Sequence, residues 1–192
     1  MTSLLLRRLE PPRTPSRPRF PGAPRIGRRL HPAVAPSSIG ADDLLAIAEG
    51  LAVSAPGWPG MDRPIRRVWD IMVASDAFEA WVIAWPPGGA IELHDHGGSS
   101  GAVVVAGGEL VETTVAERPD GSAETETTVL PAGASTAFEA PHIHDLVNLG
   151  TVPALSVHAY GPRLTAMTHY DISDGQLVTG PTMRYRFGAA IP

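Results

Sequence analysis

The residues best able to do chemistry are histidines. His94 and His96 stand two positions apart in the run Gly88-Gly-Ala-Ile-Glu-Leu-His94-Asp-His96. In an extended strand, residues i and i+2 face the same side, so both imidazoles can meet one ion. A third imidazole follows in the stretch that runs from Pro131-Ala-Gly133 to His144-Asp-Leu-Val-Asn148. There His142 and His144 repeat the two-residue spacing, and either can complete the set. No cysteine is present, which excludes disulfides, zinc thiolate sites and a cysteine nucleophile. Any metal must then be held by histidine or carboxylate, and imidazoles favour a borderline transition metal over calcium or magnesium. Asp95 and Asp145, next to these histidines, alternate to the other face and are expected to orient turns or neighbouring polar groups.

Short strands are the elements expected to position these rings. Twenty glycines, twenty prolines and few aromatics suit strands joined by tight turns. The pattern predicts strands at 66–73, 78–85, 102–106, 110–116, 124–130, 136–138, 145–148, 154–160 and 165–170, separated by PPGG, AGG, RPDGS, PAG and LGTVP turns. Even spacing of this kind argues for an all-β closed barrel or jelly roll. One helix is expected over ADDLLAIAEGLA, after the N-cap types Ser37 and Ser38. Leu44, Leu45, Ala48, Leu51 and Ala52 share a face, and Asp42 and Asp43 stand in the first turn. Trp69, Trp81 and Trp85 are expected to fill core or pocket walls, and Trp58 to cover a barrel end.

Residues 1–36 form a Pro/Arg-rich arm with too little apolar content to bury. Eight of the fifteen basic residues, all arginine, fall between Arg7 and Arg29, so the remainder is acidic. An acidic body repels phosphate polymers, and no nucleic-acid partner is expected. The apolar runs are far shorter than the roughly twenty residues needed to cross a bilayer. The short apolar patch at the start precedes its arginines, the reverse of a secretory signal. A cytoplasmic protein without a membrane partner, monomeric or weakly homo-oligomeric, is the expectation.

The two histidine stretches resemble the paired motifs of the cupin superfamily: a glycine and His-x-His in the first, Pro-x-Gly and His-x-x-x-Asn in the second. That frame selects His144 over His142, because Asn148 follows at the motif distance. In most metal-binding cupins a glutamate follows His-x-His by four or five residues, where this chain has Ser100 and Gly101. A three-histidine set without the carboxylate resembles the cysteine dioxygenase family of thiol dioxygenases. HDHGGSSGA after a WPPGG turn, then HDLVNLG, then SVHAYGP all agree with it.

The resemblance implies a cupin jelly-roll β-barrel with a short N-terminal helix, with residues 37–192 as the thiol dioxygenase domain. It implies iron(II) at His94, His96 and His144, and dioxygen and a small-molecule thiol as partners. Both oxygen atoms end on sulfur as a sulfinate, with L-cysteine to cysteine sulfinate as the best single substrate. Tyr160 would hydrogen-bond oxygen or substrate, His158 would fix its hydroxyl, and Ser156 would fix His158. Gly101 takes the place of the cysteine that animal members crosslink to this tyrosine, so Tyr160 is expected unmodified. An arginine clamps the substrate carboxylate through its bidentate fork; Arg67 is the choice, with Arg66, Arg63 and Arg163 as alternatives. The rival readings are a dioxygenase for 3-mercaptopropionate or another bacterial thiol, a metal-binding cupin acting as isomerase or sensor, and a structural cupin without metal. His31 and His169 enter none of these arguments.

Overall fold

A computed structural model of the protein describes residues 39–186 and 189–191. The arm at 1–36, His31, and the expected caps Ser37 and Ser38 lie outside the described residues. The helix α1 (Ala41–Ala52) spans the stretch that the apolar periodicity marks, burying Leu44 and Ala48. Its N-cap is Gly40, which has no side chain to offer. One of the unpaired N–H groups is met from elsewhere: the Glu139 carboxylate accepts the Ala41 N–H at 3.0 Å and also the Ser100 hydroxyl.

Twelve strands follow among the described residues: β1 (Val68–Ala74), β2 (Glu79–Trp85), β3 (Ala90–His94), β4 (Ser100–Gly107), β5 (Glu109–Glu117), β6 (Ala123–Pro131), β7 (Ser135–Phe138), β8 (Ile143–Val147), β9 (Ala154–Gly161), β10 (Ala166–Ser173), β11 (Gln176–Arg186) and β12 (Ala189–Ile191). They form two sheets, ordered β1-β2-β9-β4-β7 and β12-β11-β10-β3-β8-β5-β6. Every pairing is antiparallel. The fold is the expected jelly roll with one short helix, arranged as two ladders rather than one closed ring of hydrogen bonds.

β2 shows how the layers stack. Every residue in it is buried, although a strand with one wet face would alternate. Trp81, Ile83 and Trp85 enter a core shared with Val103, Leu110, Leu146 and Met167, contributed by both sheets. Ala80, Val82 and Ala84 face the other way, into a second core with Leu44 and Ala48 of α1. Large side chains fill the space between sheets, and small ones let the helix approach. Trp58, expected at a barrel end, packs instead against this helix-side core and donates its Nε1–H to Asp70 at 3.1 Å.

Three strands fall outside the expected set. β3 carries the first histidine motif, whose extended character is legible but whose bounds are not. β11 contains Gly180-Pro181, which reads as a turn. The ladder absorbs the pair where its register with β10 shifts, between Thr168 and Tyr170, as bulges do for proline inside a sheet. β12 pairs with β11 and, at three residues, is too short for alternation to mark it.

Candidate metal centre

His94 and His144 are cross-strand partners in the β3–β8 ladder, which holds their rings 4.9 Å apart between centroids. His96 does not follow from strand alternation, because β3 ends at His94. A tight turn returns its ring instead. Asp95 directs that turn: its carboxylate accepts the N–H groups of Gly97 and Thr168, each at 3.0 Å, and the Tyr170 hydroxyl at 2.8 Å. Gly97 has φ of +60°, and a Cβ there would stand 2.7 Å from the Ala166 carbonyl oxygen. The turn therefore requires glycine. The resulting ring separations are 4.9 Å for His94–His96 and 5.0 Å for His96–His144.

Asn148 secures the far end of β8. Its amide donates to the carbonyls of Trp85 and Val152, and its Oδ1 accepts the Gly150 N–H. This ties the turn before β9 to the end of β2. Asp145 accepts the Thr113 N–H at 3.1 Å.

The donor set fits a metal ion. One nitrogen from each of His94, His96 and His144 lies within 4.8 Å of the others, and all three residues are buried. Two nitrogens about 2.1 Å from one ion and roughly 100° apart stand about 3.2 Å from each other. His96 Nε2 and His144 Nε2 are separated by 3.3 Å. His94 Nδ1–H donates to the Glu92 carbonyl at 2.8 Å, which leaves Nε2 for the ion. Burial, with neighbouring imidazole charge, holds His94 and His96 well below the ordinary histidine range, and burial also lowers His144. Neutral imidazole is the form that binds metal.

His142 stands apart from this set. Its ring stacks on Phe138 at 4.1 Å, and Phe138 stacks on His96 at 4.7 Å. Phe138 also accounts for the missing carboxylate. Gly101 pairs with Phe138 on one side and with Tyr160 on the other. A Cβ at Gly101 would sit 2.4 Å from Phe138 Cζ. Aromatic volume occupies the position from which a glutamate would project.

Glu112 enters none of the sequence arguments. It is buried in β5, and its Oε1 lies 2.6 Å from His144 Nδ1. Burial alone would raise this carboxyl, but His142 and His144 outweigh it and hold it at about 2. The available signal is an acid in phase with Leu110 on the inward face of an alternating strand.

On β9, alternation brings Ser156, His158 and Tyr160 to one face, as the sequence implies. Trp85 Nε1–H donates to Ser156 Oγ at 2.8 Å, Ser156 Oγ lies 2.9 Å from His158 Nε2, and His158 Nδ1 lies 3.2 Å from Tyr160 Oη. Indole can only donate, and in the Nδ1–H tautomer of His158 the buried serine turns its own proton towards Nε2, which satisfies every group in the chain. In that tautomer His158 donates from Nδ1 to Tyr160, leaving the phenol proton free for a further acceptor. Burial, aided by the charges of His144 and Arg67, pushes His158 down to about 3. Burial raises Tyr160 above its ordinary value. The Tyr160 ring lies 5.3 Å from that of His96.

Of the four arginines, Arg67 reaches this group. Its guanidinium carbon lies 5.4 Å from the centroid of Trp85, and its charge bears on Tyr160, Tyr185, His94 and His158. Arg63 and Arg66 are exposed. Arg163 is engaged with buried Glu79 at 3.4 Å. Tyr185, in the unexpected strand β11, lies 6.3 Å from Trp81 between ring centroids. His169 also borders the group, pairing with His94 in the β3–β10 ladder. Trp69, expected in a wall, is 40% exposed and stacks on Trp81 at 4.9 Å.

No curated protein matches the chain. Among solved structures, a protein of Thermus thermophilus is 25% identical, with a TM-score of 0.44 over 53% of this chain and 89% of that one. An oxalate oxidase bound to the substrate analogue glycolate is 18% identical, with a TM-score of 0.45 over 53% of each chain. A cupin superfamily protein of Desulfitobacterium hafniense is 14% identical, with a TM-score of 0.41 over 50% of this chain and 78% of that one. A sequence model described as cysteine dioxygenase type I matches residues 23–173. That span includes the three clustered histidines, Arg67 and the Ser-His-Tyr relay, and it places the chain in the cysteine dioxygenase type I family.

Proposed function

We propose that the protein is an iron(II)-dependent thiol dioxygenase that converts L-cysteine to cysteine sulfinate. The observation that carries this reading is a cation beside a histidine cluster. Arg67 has no carboxylate within ion-pair distance among the described residues, yet it lies against Trp85 and its charge bears on Tyr160 and on His94 of the histidine cluster. A half-buried guanidinium of this kind favours an anionic ligand, and a substrate carboxylate suits its fork.

His94, His96 and His144 would hold the metal. A ferrous ion there would supply the Lewis acidity that ionises a thiol and the redox couple that dioxygen chemistry needs. Arg67 would bind the carboxylate and so fix where sulfur lies. The Tyr160 hydroxyl, aligned by His158, Ser156 and Trp85, would donate its free proton to oxygen or substrate in the site. The reaction balances without an external reductant: sulfur loses four electrons, dioxygen gains four, and both oxygen atoms join sulfur with loss of the thiol proton.

3-Mercaptopropionate is the closest rival, because it keeps the thiol and carboxylate that this arrangement would read and lacks only the amine. Oxygen uptake by iron-loaded protein should be fastest with L-cysteine, slower with 3-mercaptopropionate and weakest with cysteamine, which has no carboxylate. Equal rates with cysteamine would remove the role of Arg67. Absence of oxygen uptake with every thiol would favour the isomerase or sensor reading.

A further inference from the structure

We infer that Glu112 is a positioning residue that delivers negative charge to the metal centre through His144, in place of the carboxylate ligand absent at Ser100 and Gly101. This rests on the reading that His94, His96 and His144 hold the metal.

The sheet register sets the contact. Glu112 is directly opposite Leu146, and Thr114 is opposite His144. Glu112 is therefore the diagonal neighbour of His144 on one face, within reach of a long side chain. The carboxylate oxygen and His144 Nδ1 meet at 2.6 Å. That spacing is too short for two ligands of one ion, which stand about 3.2 Å apart. It matches a charge-assisted hydrogen bond. Although Glu112, His142 and His144 can be grouped as a second candidate metal cluster, this distance makes the pair a donor and its acceptor.

A buried carboxylate is costly unless it is paired. No arginine pairs with Glu112 among the described residues; its ion-pair partners there are His144 and, at 3.9 Å, His142. The negative charge is thus directed at the back of one ligand ring. A carboxylate on Nδ1–H fixes the tautomer and makes Nε2 a stronger donor. His94 differs, since its Nδ1 meets only a neutral carbonyl, and His96 Nδ1 is buried without a partner. Of the three rings, His144 alone is backed by charge. The glutamate that most metal cupins place on the ion would be replaced here by one acting through an imidazole, while Phe138 occupies the ligand position.

Glu112→Gln tests this, because the amide oxygen still accepts from Nδ1–H and only the charge is lost. Wild type and variant would be compared for Co(II) affinity by competition titration and for the Fe(III)/Fe(II) midpoint potential. The variant should bind Co(II) about 10–100-fold more weakly. Its potential should rise by about 59 mV for each tenfold by which ferric binding weakens more than ferrous. Glu112→Asp keeps the charge and should recover part of both changes. Unchanged affinity and potential in Glu112→Gln would overturn the inference while the metal centre stands. Losses that Glu112→Asp does not recover, with a lower melting temperature of the metal-free variants, would assign Glu112 to packing and also overturn it. Wild-type protein that binds no Co(II) would overturn the metal-centre reading and the inference together.

Discussion

The two sheets treat histidine in opposite ways. In the seven-stranded sheet, His94 and His144 face each other across one ladder, and the buried carboxylate of Glu112 backs the second ring. In the five-stranded sheet, His158 lies in a chain that starts at a neutral indole and ends at a neutral phenol. The first arrangement leaves ring nitrogens bare for a cation and adds negative charge behind one of them. The second spends both nitrogens of its ring on hydrogen bonds and holds the imidazole uncharged. The same side chain is left with an Nε2 that can serve an ion in one sheet, and in the other has its Nε2 taken up by Ser156.

The largest expected effect comes from breaking the seven-stranded side. His94→Ala or His144→Ala should abolish metal retention, read by elemental analysis of protein passed through a desalting column, and oxygen uptake should vanish with it. On the five-stranded side, Tyr160→Phe removes the terminal donor and nothing else. Turnover should fall by about 10²-fold with metal content unchanged, a split between the two assays that separates the two roles. Ser156→Ala interrupts the relay one step further back. It frees the tautomer of His158 and should cost about tenfold in kcat, again with metal retained; a loss of metal instead would erase the contrast between the sheets.

Gly101 joins the two regions, since it pairs with both Phe138 and Tyr160. Gly101→Ala forces the Phe138 ring away from its contact with His96 and should destabilise the fold by about 1–3 kcal/mol, measured by urea denaturation. Phe138→Leu in the same chain should return part of that loss.

The last contrast comes from acid. His158 titrates at about 3 when folded, below the ordinary value of about 6.5 for an unfolded histidine. The unfolded chain therefore binds the proton first as pH falls. Stability from this group is present above about pH 6.5 and is lost progressively towards about pH 3, by at most about 1.4 kcal/mol per pH unit. Urea midpoints of metal-free protein at about pH 7 and about pH 5 should differ less in His158→Phe than in wild type.

Local pattern was enough for several of these parts. The helix at Ala41–Ala52 follows from apolar periodicity, which depends only on neighbours along the chain, and the β9 triad from the family resemblance of SVHAYGP. The jelly roll follows from evenly spaced strands and turns. The pairing of His94 and His96 was legible as a spacing, but its mechanism was not: the turn fixed by Asp95, Gly97 and Thr168 returns His96, and Thr168 is far away in sequence. Arg67 could not be chosen from its neighbours by spacing, since only burial against Trp85 distinguishes it from exposed Arg66.

Residue types and short-range periods in the sequence determined the fold class and the histidine motifs, and the family resemblance of one short string marked Ser156, His158 and Tyr160. Cross-strand register decided the rest. It set Glu112 diagonally behind His144, placed Phe138 where a carboxylate would stand, and aligned Trp85 with Ser156. Those contacts join residues 32 to 71 positions apart. Antiparallel pairing fixes which such residues share a face, and no local preference of the chain encodes that pairing.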